Sequence, residues 1–134
     1  MAENSQEVVV ISPLHITMGV KKIKNYHLNL NQYRNWHYQV NNNLKVAYKQ
    51  IITPQLEGLS FSKIKLSFVY FKPSKRRVDR ANVLCIHEKF FCDALVEAGC
   101  LVDDNDDYLE STHYYTGGID TKNPRVEIKI TRIE

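Results

Sequence analysis

Several absences bound this chain before any motif is considered. It has no apolar run long enough to cross a bilayer, so no membrane partner is expected. The opening MAENSQE is polar and acidic, and Val8 to Ile11 is far too short for the apolar core of a secretory signal. The cysteines, Cys85, Cys92 and Cys100, are odd in number and lack the short paired spacing of a zinc knuckle. A reduced, cytoplasmic setting is the expectation, with the thiols acting as small apolar residues. No internal repeat and no low-complexity tract is present. Charge of one sign is also in short supply: the net value of +3 says little about partners, and its distribution says more.

What is present suits one folded domain. A chain of 134 residues can build a single core and is too short for two comfortable ones. The expected unit is therefore 1–134, with residues 1–7 as a flexible tail. Val8 to Ile11 reads as a short strand ended by Ser12-Pro13, and Leu14 to Ile23 as a second extended piece. From Asn29 to Ile52, Leu30, Tyr33, Trp36, Val40, Leu44, Ala47, Tyr48 and Ile51 recur at three- and four-residue steps, one face of a helix. Asn29 or Asn31 can cap it, Thr53-Pro54 ends it, and Asn41-Asn42-Asn43 marks a kink.

Phe61 to Phe71 alternates as a half-buried strand, broken by Pro73. A helix is expected over Val83 to Ala98, with Gly99 at the position after its cap. Asp103 to Asp107 reads as a turn, Tyr108 to Thr116 as a strand and Gly117-Gly118 as a turn. Arg125 to Ile133 is the closing strand, antiparallel to the strand before it. The pattern predicts an α+β fold, a small single domain whose mixed or antiparallel sheet packs with two main helices.

The chemistry concentrates between Lys75 and Asn105. Asn82, Lys89 and Asp93 fall near one line of the helix, since steps of seven and four residues return to nearly the same face. That line edges an apolar stripe of Val83, Ile86, Phe90 and Ala94 with Leu84, Phe91, Leu95 and Ala98. Lys89 and Asp93 alone would be a surface pair. Asp79 precedes the helix, and Asp103 and Asp104 follow it. Should these carboxylates converge, they form an oxygen-rich site suited to Mg2+, with Mn2+ as a substitute and lysine to balance charge. The alternative is an acidic turn and a cap residue.

Lys72, Lys75, Arg76, Arg77 and Arg80 crowd the approach to Asp79 and read as phosphate contacts. A solvated charge run is the alternative, and Lys21, Lys22 and Lys24 either extend that surface or do not. Tyr26, Tyr33, Trp36, His37, Tyr38 and Tyr48 offer stacking surface for bases, or core and interface.

Taken in order, Arg76-Arg77, Asp79, Asn82, Lys89, Asp93-Ala94-Leu95, Gly99 and Asp103-Asp104 resemble the RusA family of Holliday junction resolvases. The resemblance implies a small homodimeric, magnesium-dependent endonuclease of phage or prophage type, cutting four-way DNA junctions by two symmetric nicks. It implies metal-binding carboxylates at Asp79 and Asp104, and a catalytic or phosphate-contacting base at Lys89.

Two departures stand out. The family has a second aspartate where this chain has Ala81, and about one extra helical turn separates Asn82 from Lys89. Ala81 is read in three ways: an engineered inactive variant, a natural site that uses another acid, or a descendant that binds branched DNA without cutting it. Glu88 is the candidate replacement acid and metal ligand, lying two turns beyond Ala81 if the helix reaches back that far; otherwise it is an exposed helix glutamate. His87 beside it is a further possible ligand, or simply packs. Asp106 and Asp107 read as solvated turn residues.

Overall fold

The computed structural model describes residues 7–133; the expected tail over 1–6 lies outside them, and Glu7 already belongs to the first strand. The strands are β1 (Glu7–Ser12), β2 (His15–Met18), β3 (Lys24–His27), β4 (Ile64–Lys72), β5 (Leu109–Ile119) and β6 (Arg125–Arg132). The helices are α1 (Leu30–Tyr33), α2 (Tyr38–Ile52) and α3 (Arg80–Glu97), with a 3-10 turn at Thr53–Leu56.

A mixed four-stranded sheet runs β1-β6-β4-β5, and β2 and β3 form a separate hairpin. In the central strand β4, Ile64, Leu66, Phe68 and Tyr70 are buried and alternate with half-buried residues, which is the expected period of two. On β6, Leu66, Phe68 and Tyr70 face Ile130, Ile128 and Val126, all fully buried, and Ile64 faces Arg132. The helices cover this face: Phe91 of α3 meets Phe68 edge-on, and Tyr48 of α2 meets Phe90. The fold is thus the expected α+β domain with two main helices.

Several local expectations are corrected. The long helix is divided, with its break at Arg34–His37 rather than at the asparagines. Asn29 caps α1 by accepting from the Gln32 amide at 2.8 Å. His37 caps α2 through Nδ1, and Trp36 packs edge-on against Tyr26 and Tyr33. Asn41, Asn42 and Asn43 lie inside α2, where burial of Leu44, Tyr48 and Ile52 outweighs their weak propensity. The extended piece at Leu14–Ile23 is strand β2 followed by the turn that leads into β3, and at Gly19 a φ of +130° and close approach to the Lys22 carbonyl exclude a side chain.

The closing strands also differ from expectation. β5 does not pair with β6; it runs parallel to β4, while β6 lies antiparallel between β1 and β4. The crossover that a parallel pair requires is supplied by α3. β5 also continues through Gly117-Gly118 instead of turning there, with a register shift between Tyr70 and Phe71. A Cβ at Gly117 would stand 2.7 Å from the Phe71 ring, so this glycine serves close packing. Among the described residues, no helix is long and apolar enough to cross a membrane.

Candidate functional site: two cavities along α3

β4 delivers its carboxyl end to the loop that starts α3, and a cationic cleft of about 730 Å³ opens there. Lys72, Arg76 and Arg77 line it together with Asp79 and Asn82. Lys72 Nζ donates to the Arg76 carbonyl at 3.3 Å, which ties the strand end to the loop. Lys75 and Arg80 are exposed outside this lining, and Arg80 Nη1 donates to Thr116 Oγ1 at 3.3 Å. Lys21 and Lys22 sit at the tip of the β2–β3 hairpin, with Lys24 just beyond it.

Asp79 is the N-cap of α3: its Oδ1 accepts from the Ala81 amide at 3.1 Å and satisfies a helix-end donor. The cap places Ala81 inside the helix. Ala81, Cys85, Glu88 and Cys92 then follow at steps of four, three and four, one continuous stripe. Glu88 lies two turns on from Ala81, on the same side.

That stripe leads into a second cavity of about 320 Å³, lined by Cys85, Glu88, Lys89, Cys92, Asp104 and Tyr114. Tyr114 Oη donates to Glu88 Oε1 at 2.5 Å, fixing the carboxylate against β5. Burial and the adjacent carboxylate raise the phenol pKa, so Tyr114 remains a donor. Burial pushes the Cys92 thiol up to about 12, with the charges of Glu88, Asp104 and Asp93 adding to the effect. Cys85 is raised chiefly by burial, and feels both Glu88 and Asp79. Neither thiol offers a ready thiolate.

The structure therefore brings Glu88, Lys89 and Asp104 together and sets Asp79 apart, in the cationic cleft. Asp103 lines neither cavity. Its Oδ1 accepts from the Asp104 amide at 2.8 Å, and its Oδ2 accepts from Asn105 at 3.2 Å, which shapes the turn that presents Asp104. Asp106 and Asp107 are exposed, as expected of turn residues. Asp93 does not pair with Lys89; its carboxylate lies 3.9 Å from Lys45 of α2.

His87 is not a ligand candidate. It is fully buried, and its Nδ1 is 2.7 Å from Ser12 Oγ, which in turn is 2.6 Å from Tyr48 Oη. Burial lowers the imidazole pKa to about 3, so the ring is neutral. The signal was available: Val83 and Leu84 precede His87, and Phe90 and Phe91 follow it, at helical spacing. Tyr114 had no such signal, because nothing local connects a strand tyrosine with a glutamate 26 residues earlier on the preceding helix.

Among the described residues, no three or more His, Cys, Asp or Glu side chains are grouped to hold a metal. Magnesium, however, is often bound by one or two carboxylates, with water and substrate phosphate completing its shell. Glu88 and Asp104, which line one cavity, are the carboxylates that would hold such an ion, and the protonated thiols beside them do not compete. Compared with known proteins, the chain matches no family model and no curated protein sequence.

Proposed function

We propose that this protein is a metal-dependent DNA endonuclease that resolves four-way junctions by paired phosphodiester hydrolysis. One observation carries the reading: Glu88, Lys89 and Asp104 line a single cavity on the helix whose start borders the cationic cleft. The resemblance of the central segment to the RusA family supports it independently of that geometry.

In this reading Lys72, Arg76 and Arg77 hold the phosphate backbone, with Lys75 and Arg80 at its margin. Glu88 and Asp104 would hold Mg2+ or Mn2+, Glu88 taking the place of the acid missing at Ala81. The metal supplies Lewis-acid polarisation of the phosphate and a more acidic attacking water. Tyr114 keeps the Glu88 carboxylate oriented, and Lys89 offsets negative charge as the phosphate reacts. Asp79 holds the helix start and shapes the cleft; it belongs to substrate placement rather than to the metal pair. Two such sites, related by the twofold axis of a homodimer, produce symmetric nicks. Cytoplasmic DNA, in a bacterial host if the gene is phage-borne, is the setting.

The test is an end-labelled four-way junction incubated with protein and Mg2+ or Mn2+. Symmetric nicks are expected. Failure of both the chain and its Ala81→Asp variant to nick would overturn the catalytic reading. Ala81, which offers no oxygen on the acidic stripe, favours a second reading: a branched-DNA-binding protein that does not cut. It expects salt-sensitive junction binding without nicks, and no gain from Ala81→Asp.

A further inference from the structure

The cationic cleft does not end at its charges. It adjoins a cavity of about 650 Å³, and His27, Asn29, Tyr70, Pro73 and Val83 line both. The second cavity has apolar walls, from Ile11, Leu14, Leu28, Ile51 and Pro124. At its rim the His15 and His27 rings stand 5.5 Å apart, centroid to centroid. The one guanidinium lining this cavity, Arg125, is already neutralised, bonded to Asp120 and to Glu127 at 2.8 Å each. One side of the joined space therefore carries Lys72, Arg76 and Arg77 against the single carboxylate of Asp79, and the other is mainly apolar.

Tyr70 stands at the junction of the two. It is only 5% exposed, at the carboxyl end of β4. Its hydroxyl makes no hydrogen bond among the described residues, and burial alone accounts for the raised phenol pKa. The ring is buried while the hydroxyl oxygen keeps access to solvent, so it is open to a hydrogen bond from a ligand entering the cleft. The location matches the common placement of ligands outside the carboxyl end of a strand that feeds a helix.

We infer that the joined cleft binds a nucleotide, with the base against the apolar wall, Tyr70 hydrogen-bonding to it, and the phosphate on Lys72, Arg76 and Arg77. The volume suits a base, since ligand cavities commonly run about 300–1,000 Å³. A base presents both an apolar face and polar edges, and an attached phosphate matches the charge on the open side. The ligand is either a free nucleotide or an unpaired nucleotide of a DNA strand. The strand source rests on the DNA-processing reading above; the nucleotide chemistry does not.

The test is a fluorescence titration with 2-aminopurine deoxyribonucleoside 5′-monophosphate, without divalent metal so that cleavage plays no part. Saturable quenching is expected, competed by dAMP and at least about tenfold less well by deoxyribose 5-phosphate. Tyr70→Phe, which keeps the ring and removes the hydroxyl, should weaken binding about threefold to tenfold, the effect of one hydrogen bond. Arg76→Ala/Arg77→Ala, both exposed and away from the core, should weaken it further and flatten its salt dependence. A second titration places 2-aminopurine at the branch point of a four-way junction. A Tyr70-dependent signal there assigns the site to a DNA strand, and a signal from the mononucleotide alone assigns it to free nucleotides. Absence of both signals overturns the inference, as does equal competition by deoxyribose 5-phosphate. Failure of both the chain and its Ala81→Asp variant to nick a junction, with these signals intact, would remove the nuclease reading and leave this one standing.

Discussion

Two tyrosines address opposite sides of α3, and the environments they create have little in common. On the core side Tyr48 closes a polar chain through Ser12 to His87, with all three residues fully buried. On the sheet-edge side Tyr114 donates to Glu88, in a cavity open to Lys89 and Asp104. His87 and Glu88 are consecutive, about 100° apart around the helix, yet one is fully buried and neutral, its Nε2 without a partner among the described residues, and the other lines an open cavity. The contrast teaches that identity and neighbours in the chain do not make a site. Rotation about one helix turns one residue into the core and the next toward an open cavity.

The largest effect is expected from Glu88→Gln. Junction cleavage should fall by roughly 100-fold or more, on the basis that metal stabilisation of the reacting phosphate is worth several kcal/mol. Thermal stability should change little, because Glu88 is only half-buried. A variant that retains cleavage removes Glu88 from the chemistry.

On the opposite side, the expected effect is on folding and not on rate. The His87 pKa is about 3 in the fold, against an ordinary value of 6.5. A lowered pKa means that the folded state binds the proton less well than the unfolded chain. The associated stability is therefore present above about pH 6.5 and is lost progressively as pH falls toward 3. Between pH 7 and pH 4.5 this amounts to about 2–3 kcal/mol. Urea denaturation at the two pH values measures it. His87→Leu should shrink that pH-dependent loss, while an unchanged loss would show that another group carries the acid sensitivity.

A smaller effect is expected from Tyr114→Phe. Partners that orient metal-binding side chains commonly contribute about 10- to 100-fold to affinity or activity. Mn2+ affinity should fall by about tenfold, with the melting temperature little altered. Equal Mn2+ affinity in the two proteins would make the Tyr114–Glu88 bond structural only. The smallest effect on chemistry is expected from Gly117→Ala, farther along β5. Its added methyl meets Phe71 and Val69 and should cost about 1–3 kcal/mol of stability, read by denaturation, with Mn2+ affinity preserved. Loss of Mn2+ affinity in that variant would indicate that the strand register, and not the Tyr114 hydroxyl, holds the cavity.

These contrasts also mark how much was legible beforehand. β4 announced itself because Ile64, Leu66, Phe68 and Tyr70 alternate in a strand covered on one face by helices. α3 was equally legible through its apolar spacing and Gly99, and extends three residues earlier than expected because Asp79 caps it. The split of the first long helix was hidden: periodicity continues across Trp36, and only its contacts with Tyr26 and Tyr33 reveal the break. The place of β5 was missed because adjacency in sequence suggested a hairpin with β6, whereas the intervening α3 permits a parallel return beside β4.

The site was legible in residue types but not in grouping. Glu88, Lys89 and Asp104 were all candidates, and only the turn shaped by Asp103 brings Asp104 to the helix stripe. Asp79 was grouped with them by sequence order, and helical rise carries it to the other cavity. Tyr70 and Tyr114 carried no sequence signal of function at all. Both occupy ordinary strand positions, and only the fold shows that each lines a cavity beside α3.

The central claim is that the metal belongs to Glu88 and Asp104, in the cavity shared with Lys89. Anomalous diffraction from crystals soaked in Mn2+ tests it most directly. The expected result is a peak bound by Glu88 and Asp104 oxygens, absent in Glu88→Gln crystals. A peak at Asp79 in the cationic cleft, with none between Glu88 and Asp104, would contradict it.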